Sequence, residues 1–440
     1  MSRFFAPLIL SLLANSCEKD IVVDLDKGSS EVALSPLTYN GPTSLQLDAP
    51  FFTNKPQMIF GSKWGYVIPL DNGTFLTNAE IFNPTDFSWT VDNGSPDNGT
   101  WGVSLKKLSD GKIFLTSGTQ GYSIYNQNQN SPSWSASNPL LTNRRYAKLE
   151  LLPNNNLFIM GGKTALNADL NSTEIYNSQT GNLSAGPALT YGGESFETIA
   201  LNNGKILIAG AYGPTYAPIK TSQLYDYLTN TISATGDFNV ARAYSRMIKL
   251  DDGKILATAG DSDNAEGITE TCELYDQATG QWTLTGSLTK GRTYGALGKL
   301  RDGRVLVTAG YDKADFSTLL NSVEIYNPQT GTWTTSVATL NKARTDFPLF
   351  MELPNGDVVI AGGHNNTEGS VVVEVGTNFT EELTLSSSGG DGSYTYTLQS
   401  GPGKISGNKY FVGVAGIANI KVTDGAGSST TFSITVLAHP

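Results

Sequence analysis

Between residues 70 and 358 a short polar turn recurs seven times, each time set into apolar sequence. The copies are Leu70-Asp71-Asn72-Gly73, Ser109-Asp110-Gly111-Lys112, Leu152-Pro153-Asn154-Asn155, Leu201-Asn202-Asn203-Gly204, Leu250-Asp251-Asp252-Gly253, Arg301-Asp302-Gly303-Arg304 and Pro354-Asn355-Gly356-Asp357. With 73, 111, 155, 204, 253, 303 and 356 as reference positions, the spacings are 38, 44, 49, 49, 50 and 53 residues. A period of that length means one supersecondary unit per copy. Such a unit cannot bury its apolar faces alone and has to stack on its neighbours.

The unit is made of strands. The chain is rich in Gly (47), Tyr (19) and Phe (18) and only 16% charged, which suits short strands and tight turns better than helices. The Asp252-Gly253 pair predicts a two-residue hairpin turn joining strands near 244–250 and 254–259. Six and seven residues past the reference lies a small pair, such as Gly161-Gly162, Ala259-Gly260 and Ala309-Gly310. An aromatic residue follows, usually with a large apolar one seven further on: Phe82/Trp89, Tyr225/Ile232, Tyr275/Trp282 and Tyr326/Trp333. That spacing predicts a second hairpin, around Gln277-Ala278-Thr279-Gly280, with the glycine left-handed. Four antiparallel strands make one sheet, and the aromatic positions fill the gaps between sheets.

The Asp-Gly-Lys turn, glycine doublet, Tyr and Trp in this order resemble kelch repeats, over roughly residues 51–375. The resemblance implies an all-β protein with a seven-bladed kelch-type β-propeller at 51–376. Gly73 to Glu80 is 7 residues where Gly303 to Glu324 is 21, so the first copy is expected to lack a hairpin loop, and the alternative is that a strand is lost as well, leaving six blades plus a degenerate one. The last copy stops at Val371–Val375 without its second hairpin. A segment within Phe51–Phe60 is expected to supply the missing strand and close the ring.

Residues 1–17 read as a signal segment, with Arg3, an apolar stretch from Phe4 to Ala14 and then Asn15-Ser16-Cys17. The end resembles the lipobox of bacterial lipoproteins, which implies cleavage before Cys17, lipidation of its sulfur and anchoring at the cell envelope, at the outer membrane. Residues 18–50 form an N-terminal segment. Residues 377–440 turn to Gly/Ser/Thr-rich alternation, with Gly389-Gly390-Asp391-Gly392-Ser393-Tyr394 and Val422-Thr423-Asp424-Gly425 similar to bacterial Ig-like domains. A small C-terminal Ig-like β-sandwich is expected there. Strand-like pieces at Ile21–Leu25 and Glu31–Leu34 are available to complete it.

The net charge is −11 with no Lys/Arg cluster, which argues against nucleic-acid partners. Cys17 and Cys272 are the only cysteines, so no disulfide framework is available. A propeller with an Ig-like tail is similar to galactose oxidase, whose copper-radical site needs two histidines, two tyrosines and a cysteine cross-linked to one of them. This chain has only His364 and His439, and Cys272 sits on a predicted strand, where it reads as a small buried thiol. No cofactor and no metal site is expected. A sialidase Asp box is also missing.

Arginines recur eleven or twelve residues before the reference, as Arg144, Arg242, Arg292 and Arg344. Pointing into a channel they would bind a carboxylate, as sialic-acid mutarotases of the kelch type would require. Otherwise they pair with the repeated Glu174, Glu273 and Glu324. Asp261-Ser262-Asp263-Asn264-Ala265-Glu266 reads as calcium-binding oxygens or a solvated acidic loop. Tyr212 and Tyr216 offer rings for a sugar or a partner protein. The expectation is a monomeric, non-catalytic binding protein that takes a protein or glycan ligand through loops 163–172, 211–220, 261–270 and 311–321, with Tyr212, Tyr216, Arg242, Arg292 and Arg344 as ligand contacts. The alternative is a carbohydrate-active enzyme with a site in the propeller channel.

Overall fold

A computed structural model describes residues 20–23, 51–58, 66–77, 80–92, 102–117, 121–128, 132–264, 267–312, 317–353, 355–365, 372–377, 379, 381–387, 393–401, 403–412 and 416–436. Among them there is no helix. Two compact units emerge, one spanning 48–380 and the other combining 381–412 and 416–437 with the N-terminal residues. Cys17, the signal segment, Glu31–Leu34 and His439 lie outside the described residues.

The larger unit is seven four-stranded antiparallel sheets. Sheet five shows the pattern, with Arg246–Lys249, Ile255–Thr258, Cys272–Asp276 and Gln281–Leu284 in sequence order. Its first turn is not the expected two-residue hairpin. The Gly253 N–H donates to the Leu250 carbonyl at 3.0 Å, Asp251 and Asp252 keep negative φ, and only Gly253 is left-handed at +87°. This is a type I turn followed by a glycine bulge, which costs less than two consecutive residues at positive φ. The second hairpin does carry its left-handed glycine, Gly280 at φ +68°.

Sheet one is complete, against the alternative of a lost strand. Ile68–Pro69, Phe75–Leu76, Glu80–Asn83 and Ser88–Val91 pair in order. Shortening fell on the loop and on strand length, because two ladder positions suffice to hold Phe75 opposite Phe82. Sheet seven runs Leu349–Glu352, Val358–Ala361 and Val373–Thr377, and its outer strand is Phe51–Asn54, antiparallel to Val373–Thr377.

The ring is closed by packing. Each gap between successive sheets holds its own buried apolar cluster. Between sheets five and six Leu256 and Cys272 meet Leu297, Val307 and Tyr326. The gap that closes the ring sets Phe82 and Trp89 of sheet one against Leu349, Met351 and Val359 of sheet seven. Tyr275 and Trp282 (5.1 Å) and Tyr326 and Trp333 (5.1 Å) are cross-strand aromatic pairs in these layers. Seven antiparallel sheets joined in a closed ring make a seven-bladed β-propeller. The first strands of successive sheets neighbour one another and so line its axis.

The smaller unit has a four-stranded and a three-stranded sheet. Leu383, Leu385, Tyr396, Tyr410, Ile420, Val422 and Ile434 are buried together in it. Asp20–Val23 joins its four-stranded sheet, parallel to Glu381–Ser387.

Candidate functional site

The recurring arginines belong to the scaffold. Arg144, Arg242, Arg292 and Arg344 are buried, and each pairs with a buried glutamate of its own sheet. Arg144 reaches Glu174 at 2.8 Å, Arg242 reaches Glu273 at 2.7 Å, Arg292 reaches Glu324 at 2.9 Å, and Arg344 pairs with Glu374. A second donor of each arginine holds the carbonyl of the first doublet residue, as Arg242 Nη1 does for Ala259 at 2.8 Å. The glutamate accepts backbone N–H groups as well, Asn239 and Val240 in the case of Glu273. The arginine's own carbonyl accepts from the doublet of the preceding sheet, Ala211 N–H to Arg242 and Gly260 N–H to Arg292. The Nη donors of Arg242, Arg292 and Arg344 are therefore committed inside the propeller. The expectation that they contact ligand is corrected on that ground, since a buried guanidinium shared among carbonyls and a carboxylate has no face left to offer.

Two positions beyond each arginine the chain turns left-handed and carries an aromatic or acidic side chain towards the axis: Tyr146 (φ +60°), Tyr244 (+49°), Tyr294 (+57°) and Asp346 (+62°), with Phe347 (+52°) following. Tyr146, Tyr244, Tyr294 and Asp346 are fifty or more positions apart in sequence, yet the rings around them converge. Tyr244 and Tyr294 have ring centroids 4.5 Å apart, Tyr294 and Phe347 5.1 Å, and Tyr212 and Tyr244 5.9 Å. Tyr244 of sheet five also lies 6.3 Å from Phe347 of sheet seven, past sheet six, and Arg246 stands 5.2 Å over the Phe347 ring. Contacts that skip a sheet are possible only near the axis.

Polar groups surround the rings. The Tyr244 hydroxyl donates to Glu194 at 2.7 Å and the Tyr212 hydroxyl to Asp261 at 2.6 Å. Lys163 lies 3.3 Å from Glu194. Deeper in the channel Glu197 pairs with Lys148 at 2.9 Å and with Arg246 at 3.5 Å. Burial alone would raise the Glu197 acid, but the two cations outweigh it and hold it below the usual range. Lys148 is raised for the reciprocal reason, Glu197 overcoming its burial. Burial raises Tyr212, Tyr244 and Tyr294, with nearby carboxylates adding to it, so all three stay neutral phenols.

Several buried polar atoms around this mouth lack a hydrogen-bond partner: the carboxylate oxygens Glu194 Oε2, Asp261 Oδ1 and Asp312 Oδ1, and the ring nitrogen His364 Nδ1. A site of closely packed, mutually tilted rings edged by unsatisfied polar atoms is built to take a molecule with one apolar face and several donors. Of the expected contacts, Tyr212 belongs to this site. Tyr216 does not, since it is 75% exposed at the tip of its loop. Asp261 is 5% exposed, so its carboxylate is turned into the protein while Asp263 and Asn264 of the same loop are exposed. The sequence reading missed Tyr146, Glu194, Tyr244, Tyr294 and Phe347. The signal was present as Arg-x-Tyr in three copies and Arg-x-Asp-Phe in the last.

The donors do not fit a copper centre. Among the described residues no three His, Cys, Asp or Glu side chains group to hold a metal ion. His364 is the one histidine at the mouth, and Cys272 is packed between sheets five and six with its thiol pushed up to about 12 by burial.

Residues 301–336 match the family model described as Kelch motif. No curated protein matches the chain. Among solved structures the chain is similar to a novel fungal alcohol oxidase with catalytic diversity among the AA5 family, in complex with copper. That likeness has TM-score 0.61 and 15% identity and covers 87% of this chain and 99% of that one. The structure of YjhT is also similar, with TM-score 0.47 and 14% identity, covering 75% of this chain and 96% of that one. At 15% identity the likeness to the alcohol oxidase extends to fold alone.

Proposed function

We propose that this is a non-catalytic glycan-binding lipoprotein of the bacterial cell envelope, held at the outer membrane through Cys17, with the sugar seated at the axial mouth. The observation that carries it is the run of rings Tyr212, Tyr244, Tyr294 and Phe347, edged by the unpartnered oxygens of Glu194 and Asp261. A pyranose presents just that combination, an apolar C–H face for stacking and equatorial hydroxyls for carboxylate acceptors. The 381–437 unit is proposed as an Ig-like accessory module that takes no part in binding.

Glycan-array screening of the chain from residue 18, followed by calorimetry, tests the reading. Saturable binding of a sugar without product formation supports it. Failure to bind any glycan rejects it, and turnover of the bound sugar moves the protein to the enzymatic alternative. Metabolic labelling with a palmitate analogue reports on the anchor, and a product unlabelled at Cys17 removes that part.

A further inference from the structure

Asp261 is a buried carboxylate without a cation. It is 5% exposed, and its Oδ2 accepts only the Tyr212 hydroxyl at 2.6 Å. Thr293 lies beside the carboxyl and, like the Tyr212 hydroxyl, draws its acid down, but neither Thr293 Oγ1 nor Asp261 Oδ1 makes a well-formed hydrogen bond. Every other deeply buried carboxylate of the middle sheets has its counter-ion, Glu174 in Arg144, Glu273 in Arg242 and Glu324 in Arg292. Nothing comparable faces Asp261, and burial accordingly raises its acid. The main chain fixes it in place, as its N–H donates to Ala243 and its carbonyl accepts from Ala243. Tyr212 is bonded to it, and its charge is felt by the Tyr294 phenol.

We infer that the missing partner is an ammonium group of the ligand, so that the glycan taken at this mouth carries a free amino sugar whose nitrogen donates to Asp261 Oδ1 between the rings of Tyr212 and Tyr294. This rests on the glycan reading above and narrows it. A hydroxyl or an N-acetyl N–H would satisfy Oδ1 as a hydrogen bond yet leave the charge buried and uncompensated. An ammonium supplies both, and the electron-rich ring faces add a cation–π attraction.

The test is calorimetry on the full chain in detergent with three tetrasaccharides: fully deacetylated β-1,4-glucosamine, its N-acetylated counterpart and the β-1,4-glucose equivalent. The deacetylated sugar is expected to bind about tenfold or more tighter than the other two. Asp261→Asn should bring all three within about threefold, with an unchanged circular dichroism spectrum, because the amide keeps the shape and removes only the charge. Asp263→Asn, on the exposed side of the same loop, should leave the preference intact, which separates a seated ammonium from general attraction to a chain of net charge −11. Equal affinities, or a preference that survives Asp261→Asn, overturns the inference. Binding of the neutral sugars without amine preference overturns it while leaving the glycan site standing, whereas no binding by any of the three takes both down.

Discussion

The arginine layer and the axial mouth are built from adjacent positions of the same repeat and behave in opposite ways. In sheets three, five, six and seven the buried Arg–Glu pair is the same pair in the same place. One residue past the doublet, at the mouth, the same sheets carry Lys163, Asp261, Tyr311 and His364, and sheet four carries Tyr212. Positions that touch the next sheet have to repeat, because every gap in the ring must close at the same angle. Positions facing the axis also meet, as Tyr212 meets Asp261, but no gap has to close through them, so they can diverge. Sheet four sharpens the contrast. Gly193 stands where the arginine would be and Gln223 where the glutamate would be, and the glutamine still accepts the Thr190 N–H at 2.9 Å. Both charges left together, as expected when a lone buried charge costs more than a neutral hydrogen bond. Its neighbour Glu194 is then turned to the mouth, bonded to Tyr244.

The largest effect should come from splitting a repeated pair. Glu273→Ala leaves the Arg242 guanidinium buried without its carboxylate, and we expect a loss of about 3–5 kcal/mol in urea unfolding. Arg242→Met with Glu273→Gln, a neutral version in the manner of sheet four, should recover about 1–2 kcal/mol of that. A double variant as unstable as the single one would show that charge is not what the repetition protects. At the mouth the expectation reverses. Tyr294→Ala should weaken glycan binding about tenfold or more with little change in stability, while Tyr216→Ala should stay within about twofold of the parent.

Much of the scaffold was legible because repetition amplifies weak signals. One polar turn says little, but seven in register located the strands and the gaps, and the truncated last copy pointed to a segment within Phe51–Phe60. The turn type was misjudged because Asp252-Gly253 fits two hairpins, and the choice depends on the φ of Asp252. The arginines were legible as a repeat, and their recurrence was the reason to suspect structure, yet their direction could not be read without the sheet. The mouth was hardest. Tyr244, Tyr294 and Phe347 meet only after the ring closes, and a recurring Arg-x-Tyr does not say by itself that its tyrosines face the axis.

pH divides the axial groups among themselves as well. Glu197 is held low by Lys148 and Arg246, so its contribution is present above the ordinary glutamate value near 4.5 and is lost as pH falls through the lower folded value. Tyr212, Tyr244 and Tyr294 are raised above the ordinary 10.0, so their contribution is complete below that value and drains away as pH rises through the folded values. These groups should therefore leave the melting temperature unchanged between these limits and lower it on both sides. Phenolate absorbance should show a group of tyrosines that ionise only as the alkaline transition unfolds the ring. Ionisation of every tyrosine near pH 10 before unfolding would mean the mouth is open to water.

The smallest expected effect is confined to the repeated turn, where one left-handed position can be compared between sheets. Gly73 has φ +84° and nothing within 4 Å of where a Cβ would stand, so Gly73→Ala adds backbone strain and no clash. A loss of about 1 kcal/mol is expected. Asn155 takes the same position in sheet three at φ +66°, exposed to solvent, and there Asn155→Gly should gain about 0.5 kcal/mol. Opposite signs from the same position would place the strain in the turn itself. If instead both substitutions cost stability, the Asn155 side chain contributes something in sheet three that the repeated turn does not require elsewhere, and that sheet departs from the shared scaffold at its outer edge as well as at the axis.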